Sequence, residues 1–197
     1  MYGTAAYPLS YPNEWDKHRG KNGHGIWLHG TPSNTYSRPP RASDGCVVLT
    51  NPDISALAPV LQEGRTPVVI VGSNLGNPEA LQAERESLMQ AMEQWRRDWE
   101  AQNTEDYLSK YSRDFFSEGK NLKTWSEEKR KVQQTPAKTA IQLSNLSVFR
   151  YPDGKQQMAV VSFDQDFKSE RLKSHMRKRQ YWILEDGQWK ILYEGTA

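Results

Sequence analysis

The stretch Ala42-Ser43-Asp44-Gly45-Cys46-Val47-Val48-Leu49 places the single cysteine of the chain directly after a glycine and ahead of an apolar run. Small residues beside Cys46 allow backbone N–H groups to turn toward one point next to the sulfur. Acyl transfer requires such donors, because they stabilise the oxyanion of the tetrahedral intermediate. The segment therefore predicts a cysteine nucleophile at the end of a loop, with backbone donors around Gly45.

A thiol nucleophile also needs a neighbouring base. Among the four histidines, His29 is the strongest candidate, because it ends the apolar run at residues 25–29 and would be held rigidly. The others, His18, His24 and His175, lie among polar or charged residues and are expected to be solvated. A second interpretation stays open, in which Cys46 fills the core as a small hydrophobic residue.

The rest of the first half predicts short strands, turns and one helix. Residues 25–29 and 66–71 are expected to be buried strands, because both are β-branched or aromatic and are bounded by turn residues. Asn51-Pro52 predicts a helix start with proline at its first position, and the helix is expected to end near Gly64. Residues 32–43 predict a loop.

A change in the sequence pattern separates two predicted domains. Residues 74–78 predict a linker between a first domain at 1–73 and a second at 79–197. Beyond the linker, apolar residues fall on one face of a long helix; they are Leu81, Leu88, Met92, Trp95 and Trp99. A second helix is predicted to hold Tyr107, Leu108, Tyr111 and Phe115, and a third, shorter one to follow Trp125.

After Pro136 the apolar residues alternate, which predicts about four antiparallel strands. Pro152-Asp153-Gly154 and Asp186-Gly187 are hairpin signals. Helices followed by an antiparallel sheet predict an α+β fold. The rings expected to line the inner side of a cone-shaped domain are Trp95, Trp99, Tyr111, Phe115, Phe163, Phe167, Tyr181, Trp182 and Trp189.

Composition narrows the classes of partner. The 197 residues carry a net charge of +2 with no basic stripe, so nucleic acid is not an expected partner. No apolar run approaches the roughly 20 residues that a membrane span needs. No secretory signal opens the sequence, and the first residues look like the middle of a domain.

The residues around the cysteine and the histidine resemble those of a known family. Trp27-Leu28-His29-Gly30-Thr31-Pro32, followed at this spacing by Ser43-Asp44-Gly45-Cys46-Val47-Val48-Leu49, is similar to the signature of the YkuD-type L,D-transpeptidases. The similarity extends to residues 11–16 ahead of the first motif and to the helix and apolar segment behind the second. It covers residues 1–73, and it implies the C-terminal portion of a mainly-β catalytic domain.

The resemblance implies a role for each matching residue. Cys46 would be the nucleophile, His29 its general base, and the carbonyl of Gly30 would orient the imidazole, as a third triad member does elsewhere. Ser43, Asp44 and Gly45 would form the substrate and oxyanion side of the site, with neither a metal nor a cofactor.

The resemblance also implies a substrate, a reaction and a location. The substrate would be a peptidoglycan stem peptide, whose terminal D-residue is released as the wall is cross-linked or trimmed. The protein would act in the periplasm or cell envelope. Two positions depart from the family: Asp44 stands where histidine is most common, and Val48 where arginine or asparagine is frequent.

Residues 79–197 resemble the NTF2-like fold, and more narrowly the C-terminal domain of cell-shape-determining L,D-transpeptidases and carboxypeptidases. The similar pieces are Trp99 with Tyr107 and residues 111–112, then residues 163–167 and residues 187–191. Such a domain offers a pocket for a glycan, a stem peptide or a protein partner, although rings of this kind usually fill a core. Gln165 and Glu194 are the polar residues to inspect there.

Three functions remain from the sequence alone. The first is a cysteine L,D-transpeptidase or carboxypeptidase. The second is a non-catalytic peptidoglycan- or partner-binding protein in which the NTF2-like domain carries the function. The third is an unrelated thiol hydrolase that uses the same Cys/His pair on another substrate.

Overall fold

The computed structural model describes residues 2–72, 77–135, 137–152 and 156–197. Contacts between Cα atoms divide the chain into two compact units, Met1–Val68 and Val69–Ala197. Helices and mixed sheets are both present, so the predicted α+β class is confirmed. Within the described residues, no helix combines the length and apolar character of a membrane span.

The first unit contains short elements only. They are β1 (Ala6–Pro8), α1 (Glu14–His18), β2 (Trp27–His29), β3 (Val47–Val48) and α2 (Asn51–Leu57), which continues as one 3₁₀ turn (Ala58–Val60).

The second unit contains longer elements. They are α3 (Pro78–Glu100), α4 (Thr104–Leu108), β4 (Tyr111–Ser117), β5 (Lys120–Asn121), α5 (Leu122–Gln133), β6 (Ala140–Tyr151), β7 (Met158–Lys168), β8 (Lys173–Glu185) and β9 (Gln188–Thr196).

A three-stranded sheet in the order β1-β2-β3 organises the first unit. Strand β2 pairs antiparallel with β1 and parallel with β3, with His29 opposite Val48. Helix α2 follows β3 directly, because Thr50 accepts a hydrogen bond from the N–H of Asp53 and Pro52 occupies the first turn. The predicted helix start is thus displaced by one residue, and the predicted loop at residues 32–43 is confirmed.

The predicted strand at residues 66–71 is wrong, since no regular structure forms there. A strand requires hydrogen bonds to a neighbour, and the sheet of this unit consists of β1, β2 and β3 within the described residues. Three of its four apolar β-branched side chains are accordingly exposed, namely Val68, Val71 and, to 67%, Ile70. The helix also ends at Val60 rather than near Gly64.

A six-stranded sheet, in the order β5-β4-β9-β8-β7-β6, forms the second unit. Strands β6 to β9 are antiparallel neighbours, and β4 pairs parallel with β9. The turn between β8 and β9 holds Asp186 and Gly187 at φ values of 52° and 76°, the left-handed pair that a type I′ turn requires. The predicted hairpin there is confirmed.

The core of the second unit lies between this sheet and its helices. Helix α3 places Leu88, Met92 and Trp95 against the sheet, as the helical spacing predicts. Trp95 and Trp182 are fully buried, and rings of this size remove roughly 150–250 Å² each from water.

Three predictions for this unit are wrong in part. Tyr111 and Phe115 lie in β4, not in a second helix, because the helix ends at Leu108. Tyr181 lies on the opposite face of β8 from Trp182, where its ring contacts Tyr151 and Tyr193. The third helix also begins before Trp125, at Leu122. Residues 74–76 of the predicted linker and residues 153–154 of the predicted turn lie outside the described residues.

Candidate active site

The imidazole of His29 has a defined orientation. His29 is 4% exposed at the end of β2, and its Nδ1 lies 2.6 Å from the carbonyl oxygen of Gly30. Because a carbonyl oxygen only accepts, this short contact requires that Nδ1 carries the hydrogen and donates it. In the neutral ring, Nε2 then carries no hydrogen and can accept a proton.

Strand pairing brings the segment that contains Cys46 next to β2, which ends at His29. His29 is opposite Val48, and Cys46 precedes Val48 by two residues. Cys46 itself lies just before β3, which consists of Val47 and Val48, so the pairing of β3 with β2 brings the cysteine close to the strand that carries His29. The thiol of Cys46 donates to the carbonyl of Gly25 at 3.7 Å in this conformation.

Contacts between its own residues hold the loop that precedes Cys46. The hydroxyl of Ser43 donates to the carbonyl of Cys46 at 2.7 Å, and Gly45 adopts φ +106°. A Cβ at Gly45 would lie 2.8 Å from the Cδ1 of Ile26. Asp44 is exposed, and the hydrogen bond that closes this loop comes from Ser43.

An aromatic residue that the sequence did not single out borders the site. The ring of Tyr2 stacks on Trp27 at 5.7 Å and meets His29 edge-on at 5.0 Å. Trp27 and His29 are two residues apart in β2 and share a face, which explains why one ring touches both. Tyr2 thus forms an apolar wall beside the imidazole.

The second unit contains a buried polar cluster, defined by Tyr107, Tyr111, Lys178, Gln180 and Glu194. The carboxylate of Glu194 pairs with the Nζ of Lys178 and accepts from Gln180 and Tyr111, each at 2.9 Å. The hydroxyls of Tyr107 and Tyr111 lie 2.6 Å apart.

Burial and neighbouring charges act in opposite directions on the pKa of Glu194 in this cluster. Burial alone would raise the pKa of the Glu194 carboxyl. The positive charges of Lys178 and Lys129 outweigh the effect of burial, so the pKa of this carboxyl is lowered overall. Burial raises the pKa of both tyrosines well above the ordinary value. Glu194 is therefore an ionised carboxylate in the interior of the domain.

The sequence pointed to Glu194 but missed Lys178. Lys178, Gln180 and Trp182 alternate along β8, so once Trp182 is assigned to the core, the two-residue period places Lys178 on the same face. Glu194 joins that face through a bulge in β9: Gln180 is opposite Glu194 while Trp182 is opposite Ile191, which leaves Leu192 as the extra residue.

Gln165, the other residue marked for inspection, is 2% exposed. Its buried Oε1 has no hydrogen-bond partner among the described residues. Those residues also contain no group of three His, Cys, Asp or Glu side chains placed to hold a metal ion.

The fold defines the class of protein: a small mixed sheet with His29 and Cys46 at its strands, followed in the chain by a second, α+β unit. Residues 1–70 match the family model of the L,D-transpeptidase catalytic domain, YkuD. Residues 87–195 match the model of the Cds6 C-terminal NTF2-like domain. The chain belongs to the L,D-transpeptidase family whose members carry this NTF2-like domain.

Solved structures show the same architecture. Bd1075 from Bdellovibrio bacteriovorus is 30% identical with a TM-score of 0.83, over 100% of this chain and 72% of that one. The helical cell shape determining protein Pgp2 from Campylobacter jejuni is 25% identical with a TM-score of 0.75, over 98% of this chain and 68% of that one. No curated protein matches the chain.

Proposed function

We propose that this chain is a peptidoglycan L,D-transpeptidase or L,D-carboxypeptidase that works through an acyl-enzyme on Cys46. The observation that carries the proposal is the 2.6 Å contact between His29 Nδ1 and Gly30 O. In the neutral ring it leaves Nε2 as the atom that would accept the proton of the Cys46 thiol.

The reaction begins when the Cys46 thiol turns from the Gly25 carbonyl to His29 and gives its proton to Nε2. The thiolate attacks the carbonyl carbon of the L-centre next to the terminal D-residue of a stem peptide. The resulting oxyanion accepts hydrogen bonds from backbone N–H groups around Gly45. Collapse of the intermediate breaks the amide bond, and the imidazolium protonates the departing amine of the D-residue.

The thioester then has two fates. An amine of a second stem peptide attacks it and forms a cross-link, or water attacks it and trims the stem. In both cases His29 accepts a proton from the nucleophile and returns it to the Cys46 sulfur. The substrate places this chemistry in the periplasm or cell envelope.

The test measures release of the terminal D-residue from purified stem tetrapeptides by the wild-type chain, Cys46→Ala and His29→Ala. The proposal expects release by the wild type alone. The same samples are alkylated with iodoacetamide, and Cys46 should react faster than free cysteine, with the excess lost in His29→Ala. Equal alkylation of wild type and His29→Ala, together with no release, would refute the proposal.

A second function is supported by a different observation. The unpartnered Oε1 of buried Gln165 is available to a donor on a bound ligand. A non-catalytic protein that binds a stem peptide, a glycan or a protein partner through the NTF2-like domain would use such a group.

Cosedimentation with peptidoglycan separates the two functions. If binding alone is the function, Gln165→Met weakens sedimentation, Cys46→Ala leaves it unchanged, and no stem is turned over. Turnover by the wild type that is lost in Cys46→Ala would reject this alternative.

A further inference from the structure

Two glycines of the first unit converge on one side-chain oxygen, the Oδ1 of Asn51. A Cβ built on Gly30 would lie 2.2 Å from this atom, and a Cβ built on Gly3 would also lie 2.2 Å from it. Real Cβ atoms do not approach so closely, so the amide of Asn51 fills the space that a side chain at either position would take. Gly30 does not adopt a left-handed conformation, so the need for glycine there is one of space.

Asn51 is fixed in this place by its own contacts. It is the first residue of α2, directly after the N-cap Thr50. Its Oδ1 accepts a hydrogen bond from the N–H of Thr4 at 3.1 Å. The side chain therefore joins the segment ahead of β1 to the start of α2, with Gly30 packed against the junction.

The peptide that Asn51 packs against is the one whose carbonyl receives the His29 hydrogen bond. Gly30 is held on one side by its N–H, which donates to Ala5 O at 3.1 Å. Ile54, on the next turn of α2, would lie 3.2 Å from a Cβ at Gly30 and completes the packing. These contacts leave the Gly30 carbonyl little freedom, and the carbonyl in turn sets the tautomer and plane of the imidazole.

We propose that Asn51 is a positioning residue for the general base: its amide fixes the Gly30 peptide and so holds His29 Nδ1 in its donating orientation. The consequence of this positioning for catalysis rests on the proposed function. The effect on the imidazole itself does not depend on any substrate.

The test has a spectroscopic and a kinetic arm. In the spectroscopic arm, ¹⁵N-histidine NMR reads the tautomer of His29. The wild-type chain should show Nδ1 protonated, and Asn51→Ala should show a mixture of tautomers. In the kinetic arm, Asn51→Ala should slow iodoacetamide alkylation of Cys46 at pH 7 by about tenfold, since misplacing a catalytic group by about 1 Å costs up to about a hundredfold. Any stem-peptide turnover should fall in kcat with KM little changed.

A double variant distinguishes positioning from general damage. Gly30→Ala alone places a Cβ against the Asn51 amide and should slow alkylation more than Asn51→Ala does. Combining Gly30→Ala with Asn51→Ala removes the collision, so the double variant should recover toward the rate of Asn51→Ala. Asn34→Ala, which removes an exposed amide from the loop at residues 32–43, is the matched control and should leave both readouts unchanged.

Two results would overturn the inference: an unchanged His29 tautomer in Asn51→Ala, or multiplicative losses in the double variant. If Asn51→Ala does not fold, Asn51→Asp and Asn51→Ser give the same contrast, because aspartate keeps an oxygen at this position and serine is one bond too short. If the tautomer responds while no stem peptide is turned over, the proposed function fails and the positioning role stands.

Discussion

Replacing Lys178 by methionine should destabilise the second unit strongly at neutral pH. Glu194 is 2% exposed and pairs with Lys178, whose side chain is 12% exposed. Removing one partner of a buried ion pair costs about 3–5 kcal/mol, because the remaining charge is left without compensation. Lys129 also lowers the pKa of Glu194 and would persist, so the loss should lie near the lower end, about 3 kcal/mol.

The loss of stability in Lys178→Met should itself depend on pH. In the wild type the pKa of Glu194 is lowered, so its stabilising contribution is present above the unfolded pKa and is lost as pH falls through the folded pKa. In Lys178→Met the lowering by Lys178 is lost while the effect of burial remains, so the pKa of Glu194 rises relative to the wild type and less of the stabilising contribution is present at neutral pH. The stability difference between the two proteins should therefore be large at pH 7 and shrink toward pH 4.

Thermal unfolding followed by tryptophan fluorescence measures the difference, since five of the seven tryptophans lie in residues 69–197. A loss of about 3 kcal/mol lowers the midpoint by about 10 °C in a domain of this size. Adding Glu194→Gln to Lys178→Met removes the unpaired charge and should recover most of the loss. A difference that is the same at pH 4 and pH 7, or a double variant no better than the single one, would refute the reasoning.

Three further predictions concern the loop, the core and an ion-pair group on α3. Gly45→Ala should slow alkylation of Cys46, because alanine is strained at φ +106° and its Cβ meets Ile26; Gly187→Ala, also left-handed but in open space, should cost about 1–2 kcal/mol of stability and leave alkylation unchanged. Trp95→Ala should lower the free energy of unfolding by about 3–5 kcal/mol in a denaturant titration, since a fully buried ring is lost; a loss below about 1 kcal/mol would contradict the assigned core. The hydrogen bond to Arg96 lowers the pKa of Glu93 to about 2. The contribution of Glu93 to stability is therefore present above its unfolded pKa and is lost as pH falls toward 2. Glu93→Gln should flatten the acid limb of the curve of stability against pH, and an unchanged limb would contradict this.

The first unit shows which features of the site the sequence can predict. His29 and Cys46 can be proposed as site residues from the sequence because their neighbours encode geometry: a glycine after the histidine, small residues before the cysteine, and apolar runs that become β2 and β3. Asn51 and Tyr2 could not be predicted from the sequence, because their contacts with Gly30 and His29 join segments that only the fold brings together.

The errors in the second unit have a common physical origin. Tyr111 and Phe115 are four residues apart, and that spacing puts side chains on one face of a helix and equally on one face of a strand. The stretch around Lys178 is so rich in charge that it suggests a solvated face, whereas residues 176–179 are all partly buried and Lys178 pairs with buried Glu194. The bulge that turns Glu194 inward depends on pairing between β8 and β9, which no local pattern records.

The most direct test of the central proposal is the intact mass of the chain after brief incubation with a stem tetrapeptide and an acid quench. The proposed mechanism predicts a covalent adduct on Cys46 equal to the stem peptide without its terminal D-residue, absent from Cys46→Ala and strongly reduced in His29→Ala. An unmodified wild-type chain, with Cys46 alkylated no faster than free cysteine, would contradict it.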